Sequence, residues 1–221
     1  VAPDSLRIAV TLKNIASCYH VKDKKIVAMD FLVNARVILE KLAPQSFQFS
    51  LVLKEMASLL RKLRDWKGSL QCVRRACAIL LSPRIQIVPY HPVYISAKLM
   101  EAELNFRLQR YSAVLHCTND ILGRLELNDS AWARYWKARA LDALGLSEEA
   151  KQEQHQLQNF DRGQQVLNIL VGSREVCEKD LDQFYKQEAL TLHNQQLNHQ
   201  LREQQQQQQQ LQLQLSKQQQ Q

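Results

Sequence analysis

His116 and Cys117 are the closest approach in this sequence to a nucleophile beside a base. Neighbouring residues on a helix point apart, so the two cannot act together without a distant third group. The six histidines (His20, His91, His116, His155, His193, His199) show no metal-binding spacing such as His-Glu-x-x-His. Five cysteines (Cys18, Cys72, Cys77, Cys117, Cys177) make an odd number and contain no Cys-x-x-Cys pair. All five are expected on helices as buried, reduced thiols in a reducing compartment, without disulfides. No phosphate loop or nucleophile elbow is present. The chain is therefore expected to catalyse nothing and to need neither metal nor cofactor.

Charge offers a different chemistry, that of recognition. Twenty-nine Lys and Arg against 22 Asp and Glu leave a net charge of +7, which favours acidic partners. Lys54, Arg61, Lys62, Arg64, Lys67, Arg74 and Arg75 form a basic run that could track a nucleic-acid backbone. Base stacking would need aromatics among those cations. Only Trp66 interleaves with them, and its position calls for helix packing. A solvated helix surface is the plainer reading of the run, and nucleic acid is not the expected partner.

The elements that must carry these residues are helical. Five Gly, five Pro and 45% hydrophobic residues leave little material for hairpin-rich sheets. Four copies of one pattern recur: a small residue, a bulky or turn residue nine positions on, and a small or apolar one three further. Ala16/Lys25/Ala28, Ala57/Trp66/Ser69, Ala102/Tyr111/Val114 and Ala138/Ser147/Ala150 keep that spacing. A small residue at a crossing, a turn, and a second small residue on the returning helix describe a stacked helical hairpin.

The first pair should begin with Asp4 or Ser5 as N-cap, bury Leu12, Ile15, Ala16 and Tyr19, turn at 22–25, and return with Ala28, Leu32, Ala35 and Leu39 inward. Ser46 should cap the second pair, with Leu53, Met56, Ala57 and Leu60 inward, a turn at Arg64-Asp65, and Trp66, Ser69, Val73 and Ala76 on the return. Residues 84–90, bracketed by Pro83, Pro89 and Pro92, read as an extended loop. Pro92 opens the third pair. Its register stays open between the stripe Ala97/Met100/Leu104/Leu108 and the spacing that points to Ala102. In the fourth pair Asn128 or Asp129 should cap, Gly145 should end the helix and Ser147 should cap the return. Beyond it are expected a capping helix at 161–172, a polar helix and candidate coiled coil at 173–203, and a glutamine-rich, low-complexity tail at 204–221.

The repeats at 5–158 resemble the tetratricopeptide repeat (TPR) family. The intervals of 41, 45 and 36 residues between the four Ala positions support tandem repeats; the longer two are similar to kinesin-light-chain-like arrays. The stretches YSAVLHCTNDIL (111–122) and YWKARALDALGLSEEA (135–150) resemble immunophilin-type co-chaperones. The resemblance implies a right-handed, all-α solenoid that binds proteins. It also raises a carboxylate clamp for the acidic Glu-Glu-Val-Asp tail of heat-shock chaperones. On repeats two to four the clamp positions hold Lys54, Ser58, Met100 (or Leu99), Trp132 and Trp136. On repeats one to three they hold Lys13, Ser17, Glu55, Ser96 and Met100. One lysine survives either way, so a chaperone tail is disfavoured.

In such a stack the first helix of each pair lines the concave face. The resemblance therefore assigns partner binding to Lys13, Lys54, Arg61, Lys62, Phe106, Arg107, Trp132, Tyr135 and Arg139, with Ser17, His20, Ser58 and Glu103 beside them. A basic stretch followed by an aromatic one suits a partner segment with acidic and bulky apolar residues. A protein-binding scaffold or adaptor is the leading expectation, with a co-chaperone domain and an RNA-binding helical repeat as alternatives. No apolar run reaches the roughly 20 residues a membrane span requires, and no signal peptide is visible, so the cytoplasm or nucleus is the expected location.

Overall fold

A computed structural model describes residues 3–85, 91–124 and 130–157, with Leu190, Asn194, Leu197 and Arg202 as isolated helical positions. The regions expected as a capping helix (161–172), polar helix (173–203) and glutamine-rich tail (204–221) lie outside the described residues, those four positions apart. So do 86–90 of the expected loop, and Asn128 and Asp129.

The described residues form eight helices and no strand: α1 (Pro3–Val21), α2 (Lys25–Leu42), α3 (Phe47–Lys62), α4 (Trp66–Leu80), α5 (Pro92–Arg107), α6 (Tyr111–Arg124), α7 (Ala131–Ala143) and α8 (Ser147–Leu157). They pair as four successive hairpins. At each crossing the small residue is shut from water: Ala16, Ala57, Ala102 and Ala138 are all buried. On the returning helices Ala28, Ser69, Val114 and Ala150 are buried too. Ser69 also donates its hydroxyl to the carbonyl of Ala57 across the second hairpin, at 2.7 Å. Such small pairs let two backbones approach and leave little void.

The four turns are built alike. Seven residues beyond each of those alanines, Asp23, Arg64, Gln109 and Gly145 take φ of 58°, 63°, 57° and 79°. The next residue sends its N–H back to a carbonyl five positions earlier: Lys24 to Tyr19 (3.0 Å), Asp65 to Leu60 (2.9 Å), Arg110 to Asn105 (2.8 Å) and Leu146 to Leu141 (2.9 Å). This is the Schellman closure, which satisfies the last carbonyls of a helix and reverses the chain. Three of the four positions hold a side chain in the left-handed region, where only glycine is at ease.

That regularity settles the register of the third pair. Gln109 follows Ala102 by the common seven residues, so Ala102 occupies the crossing. The competing stripe arose because α5 lies among neighbours and is buried nearly all round, with Ala97, Leu99, Met100, Ala102 and Leu104 all inside. A helix enclosed on several sides has no single apolar stripe to read.

Cap assignments divide. Ser46 accepts from Phe49 N–H at 3.2 Å, as expected. Asp4 and Ser5 do not precede the first helix; it begins at Pro3, whose missing N–H costs nothing in a first turn. Ser130 caps α7, accepting from Ala133 N–H. Ser147 is the first residue of α8 and not its cap. Leu12, Ile15, Tyr19 and Leu60, expected inside, are half-buried. Among the thiols, Cys77 and Cys117 are buried, Cys72 is half-buried, and Cys18 is exposed, contrary to expectation. Burial first, and then the Glu101 carboxylate, pushes the Cys77 and Cys117 thiols up to about 12.

Candidate protein-binding face

Successive hairpins touch chiefly where the second helix of one meets the first helix of the next, α2 against α3, α4 against α5 and α6 against α7; the first helices also meet one another, α1 with α3, α3 with α5 and α5 with α7. The second helices α2, α4, α6 and α8 make no comparable contact with one another. First helices that approach while second helices splay define a curved stack, with α1, α3, α5 and α7 on its inner side.

Side chains bridge these inner helices at every junction. Between α1 and α3, Lys62 Nζ lies 2.7 Å from His20 Nε2, and His20 Nδ1 lies 3.5 Å from a Glu55 carboxylate oxygen. Between α3 and α5, Arg61 donates to Glu103 at 2.6 Å, and both side chains are 0% exposed. Arg107 completes that group, donating Nε–H to the other Glu103 oxygen at 2.8 Å. Its guanidinium also lies 4.7 Å from the Trp66 ring centre. Between α5 and α7, the Arg139 guanidinium sits 4.6 Å from the Phe106 ring centre and donates to the Tyr135 hydroxyl at 3.2 Å. Phe106, Tyr111, Trp132, Tyr135 and Trp136 form the aromatic packing around it, with centroid distances of 4.9–5.5 Å. A cation against such faces is held by the ring quadrupoles.

The expected binding residues therefore sort into two groups. Arg61, Trp132 and Tyr135, read from the sequence as groove-lining side chains, are only 0%, 3% and 1% exposed. Arg61 neutralises Glu103 inside the array, and Trp132 packs edge to face against Tyr135. Lys13, Lys54, Lys62, Phe106 and Arg139 are half-buried, and Arg107 is exposed. Lys54 lies one turn before Ser58 and two before Arg61, on the same side of α3.

Sequence reasoning missed the acidic members. Glu103 was placed beside the groove, but nothing local marks it as the centre of a buried charge triad, because its partner Arg61 stands 42 residues away. On the opposite side of α5, Arg74 donates to Glu101 at 3.0 Å and to Asn105 at 3.2 Å, while Lys98 holds the second Glu101 oxygen at 2.9 Å. Arg75 pairs with Glu40 at 2.7 Å. Much of the basic run is thus engaged in joining hairpins. The chaperone-clamp positions fare similarly, since Met100, Trp132 and Trp136 are buried apolar side chains that offer a carboxylate no cation.

Solved structures share this architecture. A putative kinesin light chain from Podosopora anserina, with nearly identical TPR-like repeats, superposes with a TM-score of 0.56 at 15% identity, covering 89% of this chain and 91% of its own. A single-substitution variant of that protein gives 0.58 at 15% identity, over 92% and 95%. The fold is a TPR-like α-solenoid. At that identity the likeness speaks for the fold, and the binding chemistry must be argued from the residues above. Neither a protein-family model nor a curated protein matches the sequence. No described helix is long and apolar enough to cross a membrane.

Proposed function

We propose that this protein is a non-enzymatic scaffold or adaptor that binds a partner segment along the inner face of its TPR-like array. The observation that carries the reading is the set of cation-centred contacts that joins consecutive first helices: Lys62 with His20, Arg61 and Arg107 with Glu103, and Arg139 with Phe106. Lys13, Lys54, Lys62, Arg107 and Arg139 supply positive charge on the first helices, and Phe106 supplies a half-buried ring. A partner segment with acidic and bulky apolar residues matches both features: charge steers the encounter, and the buried ring contributes most of the affinity. The binding is non-covalent, and cytoplasm or nucleus is the compartment that suits free thiols such as exposed Cys18.

The test is affinity capture by the full-length chain, wild type against Lys54→Glu/Lys62→Glu, with circular dichroism confirming that both are folded. A specific protein retained by wild type and lost from the variant supports the inner face. Equal recovery by both overturns it and moves attention to the outer helices.

A further inference from the structure

Most exposed apolar side chains of this array are scattered singly: Leu63, Leu81, Leu144 and Leu146 each stand at a helix end. Such isolated residues need no partner. The second helix is different. Ile26, Val33 and Val37 on α2 are 74%, 37% and 57% exposed. At 3.6 residues per turn they fall on one line down the helix, within about 40° of one another. That line lies opposite the side on which Ala28, Leu32, Ala35 and Leu39 are buried. Asp30 and Lys41 flank it, about 40° and 60° round from Ile26 in the same direction. Both are exposed, and neither enters an ion pair among the described residues.

We propose that this stripe is where a second copy of the chain docks, with α2 antiparallel against its counterpart. The stripe is complementary to itself in one register, centred on Ala35. There Val33 faces Val37 of the other copy, and Ile26 faces Pro44, which is exposed just beyond the helix. Asp30 lies five residues before the centre and Lys41 six after it. The Asp30 carboxylate therefore meets the Lys41 ammonium of the other copy within about 1.5 Å of the same height. A two-fold axis keeps like flanks on the same side, so having both charges on one flank lets them pair. Each contact occurs twice, as an isologous interface requires: apolar side chains fill the middle and an ion pair closes each end. The 18 residues of α2 make a helix about 27 Å long. One such pair covers less than the roughly 1,200 Å² of a stable interface, so the dimer should form and dissociate with concentration. Pairing through α2 leaves α1, α3, α5 and α7 uncovered in both copies. A partner carrying two recognition segments would then gain avidity from the dimer.

The test is sedimentation velocity of the full-length chain over a concentration series, with circular dichroism confirming that every variant is folded. Wild type should show a reversible monomer–dimer equilibrium. Val33→Lys, at an exposed position, should leave only monomer. Asp30→Lys and Lys41→Asp each bring like charges together at both ends of the interface and should weaken association by about tenfold or more. An equimolar mixture of those two variants should regain the wild-type affinity, because each meets in the other the charge it lacks. The chain carrying both changes should regain it as well. Monomer at every concentration overturns the proposal. So does association that survives Val33→Lys and both charge reversals, as it would if the glutamine-rich tail held the copies together. A mixture no tighter than its separate components overturns the antiparallel pairing of Asp30 with Lys41.

Discussion

Removing Glu103 should cost more than removing Arg61, and removing both should cost little. Both side chains are 0% exposed and joined at 2.6 Å, a charge-assisted bond with no bulk water to screen it. Deleting one member of such a pair typically costs about 3–5 kcal/mol, because it leaves a buried charge without its counterpart. Here the two deletions differ. Arg61→Met leaves the Glu103 carboxylate with Arg107, 2.8 Å away on a partly exposed side chain. Its cost should therefore fall near the lower bound, about 3 kcal/mol. Glu103→Leu strips the acceptor from both guanidiniums, one of them fully enclosed, and should approach about 5 kcal/mol. Apolar replacement of a whole buried pair is often near neutral, so Arg61→Met/Glu103→Leu should lie within about 1–2 kcal/mol of wild type. The three variants and wild type form a double-mutant cycle, read by urea denaturation of the full chain followed by circular dichroism. Single variants within about 0.5 kcal/mol of wild type, or a double variant whose loss equals the sum of the singles, would refute the account of the α3–α5 junction.

Other consequences follow from the turns, the caps and the thiols. Arg64→Gly should stabilise the protein by up to about 1 kcal/mol by relieving a left-handed residue, whereas Gly145→Ala should destabilise it by about 1 kcal/mol or more; thermal melts of the two should shift in opposite directions. Ser130→Ala should cost about 1 kcal/mol through loss of the α7 cap, and Ser130→Asp should restore most of it in the same assay. With thiols at about 12, Cys77 and Cys117 are ionised to roughly one part in ten thousand at pH 8. Exposed Cys18 should therefore be alkylated first and those two only on unfolding, which timed mass spectrometry can follow. The same elevation makes stability depend on alkaline pH. Below the unfolded value near 9 both states hold the proton; above it the unfolded state loses the proton first, so stability should decline between about pH 9 and 12. Cys77→Ala should flatten that decline in urea titrations, and an unchanged slope would count against it.

What the sequence makes legible is what local spacing controls. Ala16, Ala57, Ala102 and Ala138 announce four hairpins because only small residues let two backbones cross closely. Ser46 is readable as a cap because its role is satisfied within three residues. The turns were partly hidden: Gly145 shows its left-handed conformation by type, but Asp23, Arg64 and Gln109 adopt it because the hairpin geometry requires it. The candidate binding face was less legible. Arg61, Trp132 and Tyr135 occupy inner-helix positions, but helical position says nothing about what closes over a side chain. Glu103 gains its meaning from Arg61 on another hairpin, a pairing set by the stack and not by nearby residues. Aromatic contacts across the α5–α7 junction are hidden for the same reason.

The central claim is that the inner face recognises an acidic, apolar segment, and calorimetric titration of a synthetic peptide that alternates Asp or Glu with Leu and Phe tests it most directly. The receiving protein is the full chain. Saturable binding with one site per chain is expected. It should be lost when Lys54→Glu/Lys62→Glu is added on the inner helix α3. It should survive Lys41→Glu/Lys67→Glu, which makes the same charge change at exposed sites on α2 and α4. Absence of binding, or equal weakening by the inner and outer pairs, would contradict the account.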